Sequence, residues 1–270
     1  MVKNPNEIPH AASADGWVRV LVTHKILDVT NLNKHFGGLH AVKDLSFSLY
    51  PGDKSAIIGP NGAGKTTFFN LLTGYHRAES GRILFDGVNI TSRPSFEIAR
   101  NGISRAFQIS NIFPKLTVLE NIRSAVQTQM GKTFDLFGCA DRIGNEETEK
   151  NMILCGLTHR QSVTAGDLSQ GDKKKLELAL ALAGQPKLLL LDEPTAGMSL
   201  EETRETMVLV DRLNKEFNLT ILFTEHDMSV VFNHALRITM LHRGEVVVEG
   251  TPEQVRNNEM VQRIYLGEQS

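Results

Sequence analysis

The chain has 270 residues, 41% hydrophobic and 22% charged, a balance that suits one folded α/β domain with an inserted subdomain. A formal net charge of −2 excludes a strongly basic nucleic-acid-binding domain. Two cysteines, Cys139 and Cys155, exclude a disulfide framework and fit a reducing compartment, and no apolar run nears the ~20 residues that span a bilayer.

Residues 1–22 hold prolines, asparagines and acids, lack the apolar stretch of a signal peptide, and are expected to form a mobile tail. Short strands are predicted around Ile26–Val29, Leu45–Leu49 and Ile83–Phe85. A Pro-Gly turn at Pro51–Gly52 leads into a buried strand, Lys54–Ile58. A helix is predicted from Gly64 to about Thr73, with Phe68, Phe69, Leu71 and Leu72 at helical spacing. Residues 112–165 change character: a helix capped at Thr117, then a loop with Gly144–Asn145, then a helix running to Leu157. This part reads as a helical insertion into a strand-rich core. Helix and strand then alternate: Lys173–Leu182, Lys187–Asp192, about Leu200–Phe217, Thr220–Thr224 and about Met228–Asn233. A hairpin turning at Arg243–Gly244 follows. Alternating units of this kind predict a mostly parallel, covered sheet.

"GPNGAGKTT", Gly59 to Thr67, matches G-x-x-x-x-G-K-[ST] at every fixed position, after a strand and before a helix. Gly59, Gly62 and Gly64 let the N–H groups of this loop, which also holds Pro60, Asn61 and Ala63, turn toward phosphate oxygens without a clashing Cβ. The helix N-terminus favours anions. Lys65 is expected to reach the β- and γ-phosphates, Thr66 to hold Mg²⁺, and Thr67 to bond the α-phosphate.

"KLLLLDEPTAG" is expected to bring Asp192 to the C-terminal edge of a buried strand, where open α/β sheets bind ligands. Asp192 suits the Mg²⁺ shell, and Glu193, pointing to the other side, suits a general base for the attacking water. Gln108 in "SRAFQIS" and His226 in "ILFTEHDM" also lie at strand ends. The Gln108 amide would contact metal-bound or attacking water, and His226 would sense the γ-phosphate.

One stretch, "GDLSQGDKKKLELALALAG", begins a helix with Ser169, Gln170, Gly171 and Asp172 before three lysines. Two readings stand: a helix cap, or a phosphate site that serves another protein molecule. The lysines are either a solvated face or an offset for Asp172 and phosphate.

In this order, "HF", "GPNGAGKTT", "FQ", "LSQGD", "LLLLDEP", "AGMS" and "TEHD" resemble the ATP-binding subunits of ABC transporters, over residues 26–250. The resemblance implies a P-loop ABC-ATPase fold over residues 23–270, with an antiparallel β-subdomain and a helical subdomain inserted at about 110–168. It implies that Phe36 stacks on adenine, that Gln108 is the hinge glutamine, that Ser169 and Gly171 are signature residues, and that His226 is the switch histidine. "FGGLHAVKDLSF", "RAFQ" and "GTPEQVRNNEMVQRIYLGE" further resemble branched-chain amino-acid importer ATPases of bacteria, with the urea importers next.

By that likeness two ATP-binding subunits sandwich ATP, each completing its partner's site through Ser169 and Gly171. They drive transmembrane permease subunits from the cytoplasmic face of the inner membrane, and a periplasmic solute-binding protein delivers the solute. The permease would dock in a groove around Gln108–Leu116, at "FPKLTV". A soluble ABC ATPase acting on ribosomes or DNA and a non-hydrolysing regulator are the rival readings. Gln170 and Asp172 depart from the usual LSGGQ signature, and Ser199 stands where the D-loop usually has aspartate. No catalytic group is lost by these changes, so an active ATPase is expected.

Overall fold

The computed structural model describes residues 24–106, 112–130 and 144–266. Its centre is a six-stranded sheet built from the predicted buried segments. β3 (Lys54–Ile58), β7 (Leu188–Asp192) and β8 (Thr220–Thr224) are buried at every residue. They run parallel with β6 (Ile103–Ala106) and β9 (Arg237–His242), and β10 (Glu245–Gly250) closes one edge antiparallel, in the order β10-β9-β3-β8-β7-β6. A strand covered on both faces must be apolar on both, and alternate residues divide between two cores. Ala56, Ile58, Leu189, Leu191, Ile221 and Phe223 enter one core; Ile57, Leu188, Leu190 and Leu222 enter the other.

The second core is closed by α1 (Lys65–Leu72) and by an antiparallel sheet of β1 (Leu27–Phe36), β2 (Leu39–Leu49), β4 (Ser80–Phe85) and β5 (Val88–Asn89), in the order β2-β1-β4-β5. β1 is longer than the predicted Ile26–Val29. Three register shifts against β2 hide the alternation beyond Val29. α2 (Ser95–Arg100), ahead of β6, is too short to show a helical period and escaped the sequence reading.

The first core is closed by α3 (Val118–Gln129), α5 (Gln170–Leu182), α6 (Leu200–Phe217) and α7 (Met228–His234). Thr117 caps α3 in a reciprocal box with Glu120. α4 (Asn145–Leu154) follows and stops three residues short of the expected Leu157. The chain enters and leaves this helical layer side by side: Val118 N–H donates to Val163 O at 3.0 Å, and Ala165 N–H to Leu116 O at 2.9 Å. The buried Asn121 amide fastens the entry, accepting from Phe113 N–H at 2.8 Å and donating to Thr117 O at 2.9 Å. α8 (Pro252–Arg256) and α9 (Glu259–Leu266) end the described chain and lie beyond the predicted elements.

Candidate functional site

The loop between β3 and α1 has the conformation its glycines foretell. Gly59 has φ 149° and Gly64, the residue before α1, has φ 105°. A Cβ on Gly59 would lie 2.2 Å from Leu241 O, and one on Gly64 2.4 Å from Ala41 O. Glycine is therefore required twice over, by φ and by the approach of neighbouring backbone. The β9–β10 turn braces the loop, with Gly244 N–H donating to Ala63 O at 3.0 Å. No side chain caps α1 and no acid lies in its first turn, which leaves its leading N–H groups for an anion.

Lys65 is buried and bends back over this loop, donating from Nζ to Gly59 O at 2.5 Å and Pro60 O at 3.1 Å. Burial lowers its pKa, against the pull of the Glu193 and Asp192 carboxylates. The structure thus brings Lys65 within electrostatic reach of both acids. Asn61, Gly62 and Thr66 are exposed along the loop; Pro60 and Thr67 are half-buried.

At the end of β7, Asp192 is 7% exposed and both its oxygens are held. Thr224 Oγ1 donates to Oδ1 at 2.7 Å, and Arg105 Nη2 donates to Oδ2 at 2.6 Å. Glu193 does diverge from Asp192, but not by simple strand alternation. Its backbone turns left-handed, φ 52°, and its N–H donates to Thr224 O at 3.1 Å and Thr224 Oγ1 at 3.2 Å. A non-glycine residue in this region carries strain of about 1–2 kcal/mol. The Glu193 side chain meets His226, Oε1 to Nε2, at 2.8 Å, with both side chains substantially exposed.

His226 is held in turn. Buried Glu225 accepts from His226 N–H at 3.2 Å, from Thr195 N–H at 2.8 Å and from Thr195 Oγ1 at 2.7 Å, locking the loop after β8 to the loop after β7. Arg105, Thr224 and Glu225 were missed in the sequence, although each lies inside a stretch singled out for its neighbour. Phe36 is 42% exposed at the β1–β2 hairpin, edge-on to His76 at 5.0 Å between centroids. Gln108, the hinge glutamine by resemblance, lies outside the described residues, as does the tail at 1–22.

Ser169 is both exposed and a helix cap: its Oγ accepts from Asp172 N–H at 3.1 Å, so α5 starts at Gln170 and not at Lys173. Gly171 N–H donates to Glu202 Oε1 at 3.2 Å, and a Cβ on Gly171 would sit 2.7 Å from that oxygen. Glu202 is also the reciprocal partner of Ser199, which caps α6; Ser199 N–H donates to its Oε2 at 3.0 Å. The lysines do not neutralise Asp172. Arg160 does, with Nε at 3.2 Å, while Lys174 reaches Glu177 at 3.8 Å and Lys175 reaches Glu205 on α6 at 2.7 Å.

Among the described residues no group of three His, Cys, Asp or Glu could hold a metal. One carboxylate, Asp192, and the Thr66 hydroxyl are hard oxygen donors. That sparse set fits Mg²⁺, which takes most of its ligands from phosphate and water. Beside the site a groove of about 840 Å³ opens between the core and the helical layer, lined by Asn70, Tyr75, Ile98, Arg105, Phe113 and Ala181 among others. Phe113 is 56% exposed there, while Leu116 is not part of the lining. No helix among the described residues is long and apolar enough to cross a membrane.

Comparison with known proteins agrees with this geometry. Residues 42–196 match the family described as ABC transporter, and residues 245–270 match one described as branched-chain amino acid ATP-binding cassette transporter. The high-affinity branched-chain amino acid transport ATP-binding protein LivG of Escherichia coli is 38% identical over 92% of this chain and all of its own. The corresponding protein BraF of Pseudomonas aeruginosa is 36% identical over the same shares. The ADP conformation of MJ1267, an ATP-binding cassette of an ABC transporter, superposes with a TM-score of 0.79 at 30% identity, covering 91% of this chain and all of that one. A dimeric post-hydrolysis state of the cassette MJ0796, bound to ADP and Pi, gives 0.71 at 25% identity, covering 84% and 98%. With its phosphate loop, paired acids and histidine on this fold, the chain belongs to the ABC transporter family, as an ATP-binding and ATP-hydrolysing subunit.

Proposed function

We propose that this chain powers uptake of branched-chain or other hydrophobic amino acids, as one of two ATP-binding subunits seated on transmembrane permease subunits at the cytoplasmic face of the inner membrane. The names of its relatives support the solute class. The observation that carries the chemistry is the Glu193–His226 contact at 2.8 Å, beside the loop that Lys65 spans.

Substrate phosphates displace Lys65 Nζ from the two carbonyls it now holds, and the amides of residues 62–67 take the phosphate oxygens. Bound Mg²⁺ would be held by Thr66 and Asp192 and would neutralise charge on the β- and γ-phosphates. The Glu193 carboxylate accepts a proton from the attacking water as the water oxygen bonds to the γ-phosphorus and the bond from that phosphorus to ADP breaks. His226, on the same carboxylate, contacts the γ-phosphate and so distinguishes ATP from ADP. Phe36 offers its exposed face to adenine, and Gln108 belongs to the same water-orienting set.

Ser169 and Gly171 serve the nucleotide of the second subunit. The dimeric relative supports that arrangement. The permease docks in the groove lined by Tyr75, Ile98 and Phe113, and the helical subdomain at about 110–168 moves it when the dimer opens. A periplasmic binding protein supplies the solute.

The test is Glu193→Gln. A positioned general base contributes about 10²–10⁴-fold, so turnover falls by at least that lower figure while an ATP-bound dimer accumulates on gel filtration. Unchanged turnover refutes the assignment. Uptake of labelled leucine and of urea in a gene-deletion strain tests the solute; loss of urea uptake alone refutes amino-acid import.

A further inference from the structure

Arg105 lies in the "RAFQ" stretch with no role assigned to it there, yet it sits between the two working parts of the molecule. From the third position of β6 its guanidinium donates to Asp192 Oδ2 at 2.6 Å through Nη2 and to Asn70 Oδ1 on α1 at 2.6 Å through Nη1. Its charge lies over the Phe69 ring, 5.5 Å from the centroid. The side chains of both ion-pair partners are largely buried, 14% and 8% exposed.

Stability does not explain such a pair. Two desolvated charges cost about as much as their attraction returns, and an apolar pair of the same volume would serve the fold as well. What the pair supplies is orientation. With Oδ1 on the Thr224 hydroxyl and Oδ2 on Arg105, the plane of the Asp192 carboxylate is fixed from both sides. A carboxylate that serves a metal depends on such outer partners. Arg105 and Asn70 also line the groove between the core and the helical layer, so the guanidinium that holds Asp192 is anchored on a groove residue.

The geometry points to Arg105 as a positioning residue for hydrolysis: it aims Asp192 at the metal and, through Asn70, links that aim to what lies in the groove. This rests on the reading of Asp192 as a metal-side carboxylate. The fork matters, not the charge alone. Lysine keeps the positive charge but cannot hold Asp192 and Asn70 at once in fixed geometry.

The experiment uses the full chain and a fluorescent ATP analogue, titrated with MgCl₂ and, separately, in EDTA. Arg105→Lys is expected to raise the Mg²⁺ concentration for half-maximal tightening by about 10–100-fold, the usual effect of losing an outer partner of a metal ligand. Binding in EDTA should stay within about twofold, because the phosphate loop is untouched. Asn70→Ala removes only the groove-side anchor and should move the Mg²⁺ midpoint the same way by a smaller factor; it carries the test if Arg105→Lys does not fold. A midpoint unchanged in both variants, or a loss that appears equally in EDTA, overturns the proposal. Asp192→Asn separates the two readings. If it shifts the midpoint and the other variants do not, only the role of Arg105 fails. If it does not shift the midpoint, the metal reading of Asp192 fails with it.

Discussion

Replacing Gly64 by alanine tests whether the phosphate loop is shaped by its surroundings or only by its own backbone. Gly62 is the built-in control. Both have positive φ, 78° at Gly62 and 105° at Gly64. A Cβ on Gly62 meets nothing within 4 Å, whereas one on Gly64 lies 2.4 Å from Ala41 O and 3.5 Å from Gly244 Cα. Those neighbours are backbone and cannot rotate away. Gly62→Ala therefore costs only the left-handed penalty, about 1–2 kcal/mol. Gly64→Ala adds the displacement of β2 and the β9–β10 turn, about 1–3 kcal/mol more, as overpacking does elsewhere. At about 3 °C per kcal/mol for a domain of this size, the melting temperature falls by roughly 3–6 °C in the first variant and roughly 6–15 °C in the second. Calorimetry without nucleotide isolates folding from binding. Equal shifts in the two variants would refute the claim that Ala41 and Gly244 mould the loop.

Glu202→Ala, made in a Glu193→Gln background, should lower the ATP concentration for half-maximal dimerisation about fivefold. The carboxylate occupies the Gly171 N–H, which in the proposed two-subunit site would serve the γ-phosphate, and one such bond is worth about 1 kcal/mol; no shift, or a higher requirement, contradicts this, and sedimentation velocity measures it. Asp211 is partly buried, which raises its pKa, but hydrogen bonds from His234 and Lys54 bring it below the ordinary carboxylate range. A depressed pKa gives stability that is present above the unfolded value near about 3.9 and lost as pH falls through the folded one. The stability gap between the native chain and Asp211→Asn should be about 3 kcal/mol at pH 7, because Lys54 is left buried and unpaired, and should shrink below about pH 4 in urea titrations; a gap independent of pH refutes the pairing. Burial pushes the Cys155 thiol up to about 12. Cys155 should resist iodoacetamide until the protein unfolds, as mass spectrometry of its peptide would show; rapid alkylation of native protein contradicts the burial.

What was legible in the sequence is what neighbouring residues decide among themselves. Gly59–Thr67 declares its chemistry because the glycines, Lys65 and the following helix are contiguous. β3, α6 and β8 fall where their apolar runs place them, and Thr117 caps α3 as expected. Contacts between distant segments were not legible. For the three lysines beside Asp172 the sequence left a solvated face and local neutralisation both open; a helix turns adjacent residues to different sides, and the counter-ion is Arg160, twelve positions away. Arg105 looked like one residue of an apolar strand, because its partners Asn70 and Asp192 lie 35 and 87 positions off.

The two acids show most clearly how chemistry that is adjacent in sequence depends on distant support. Asp192 and Glu193 need different surroundings, one fixed and buried, the other facing solvent and His226. Strand alternation alone would turn them apart, but it would leave Glu193 to continue β7. Instead a single hydroxyl, Thr224 Oγ1, donates to Asp192 Oδ1 and accepts from Glu193 N–H, so the chain turns out of β7 between these two adjacent residues. The strain at Glu193 is held by those bonds and by the Thr224 carbonyl. A strained residue persists only where its surroundings over-determine it. Here the surroundings are β8 itself, and the next two residues of that chain are Glu225 and His226. The strand that holds the bend therefore also delivers the histidine that meets the Glu193 carboxylate, so any movement of β8 relative to β7 alters Asp192, Glu193 and His226 together.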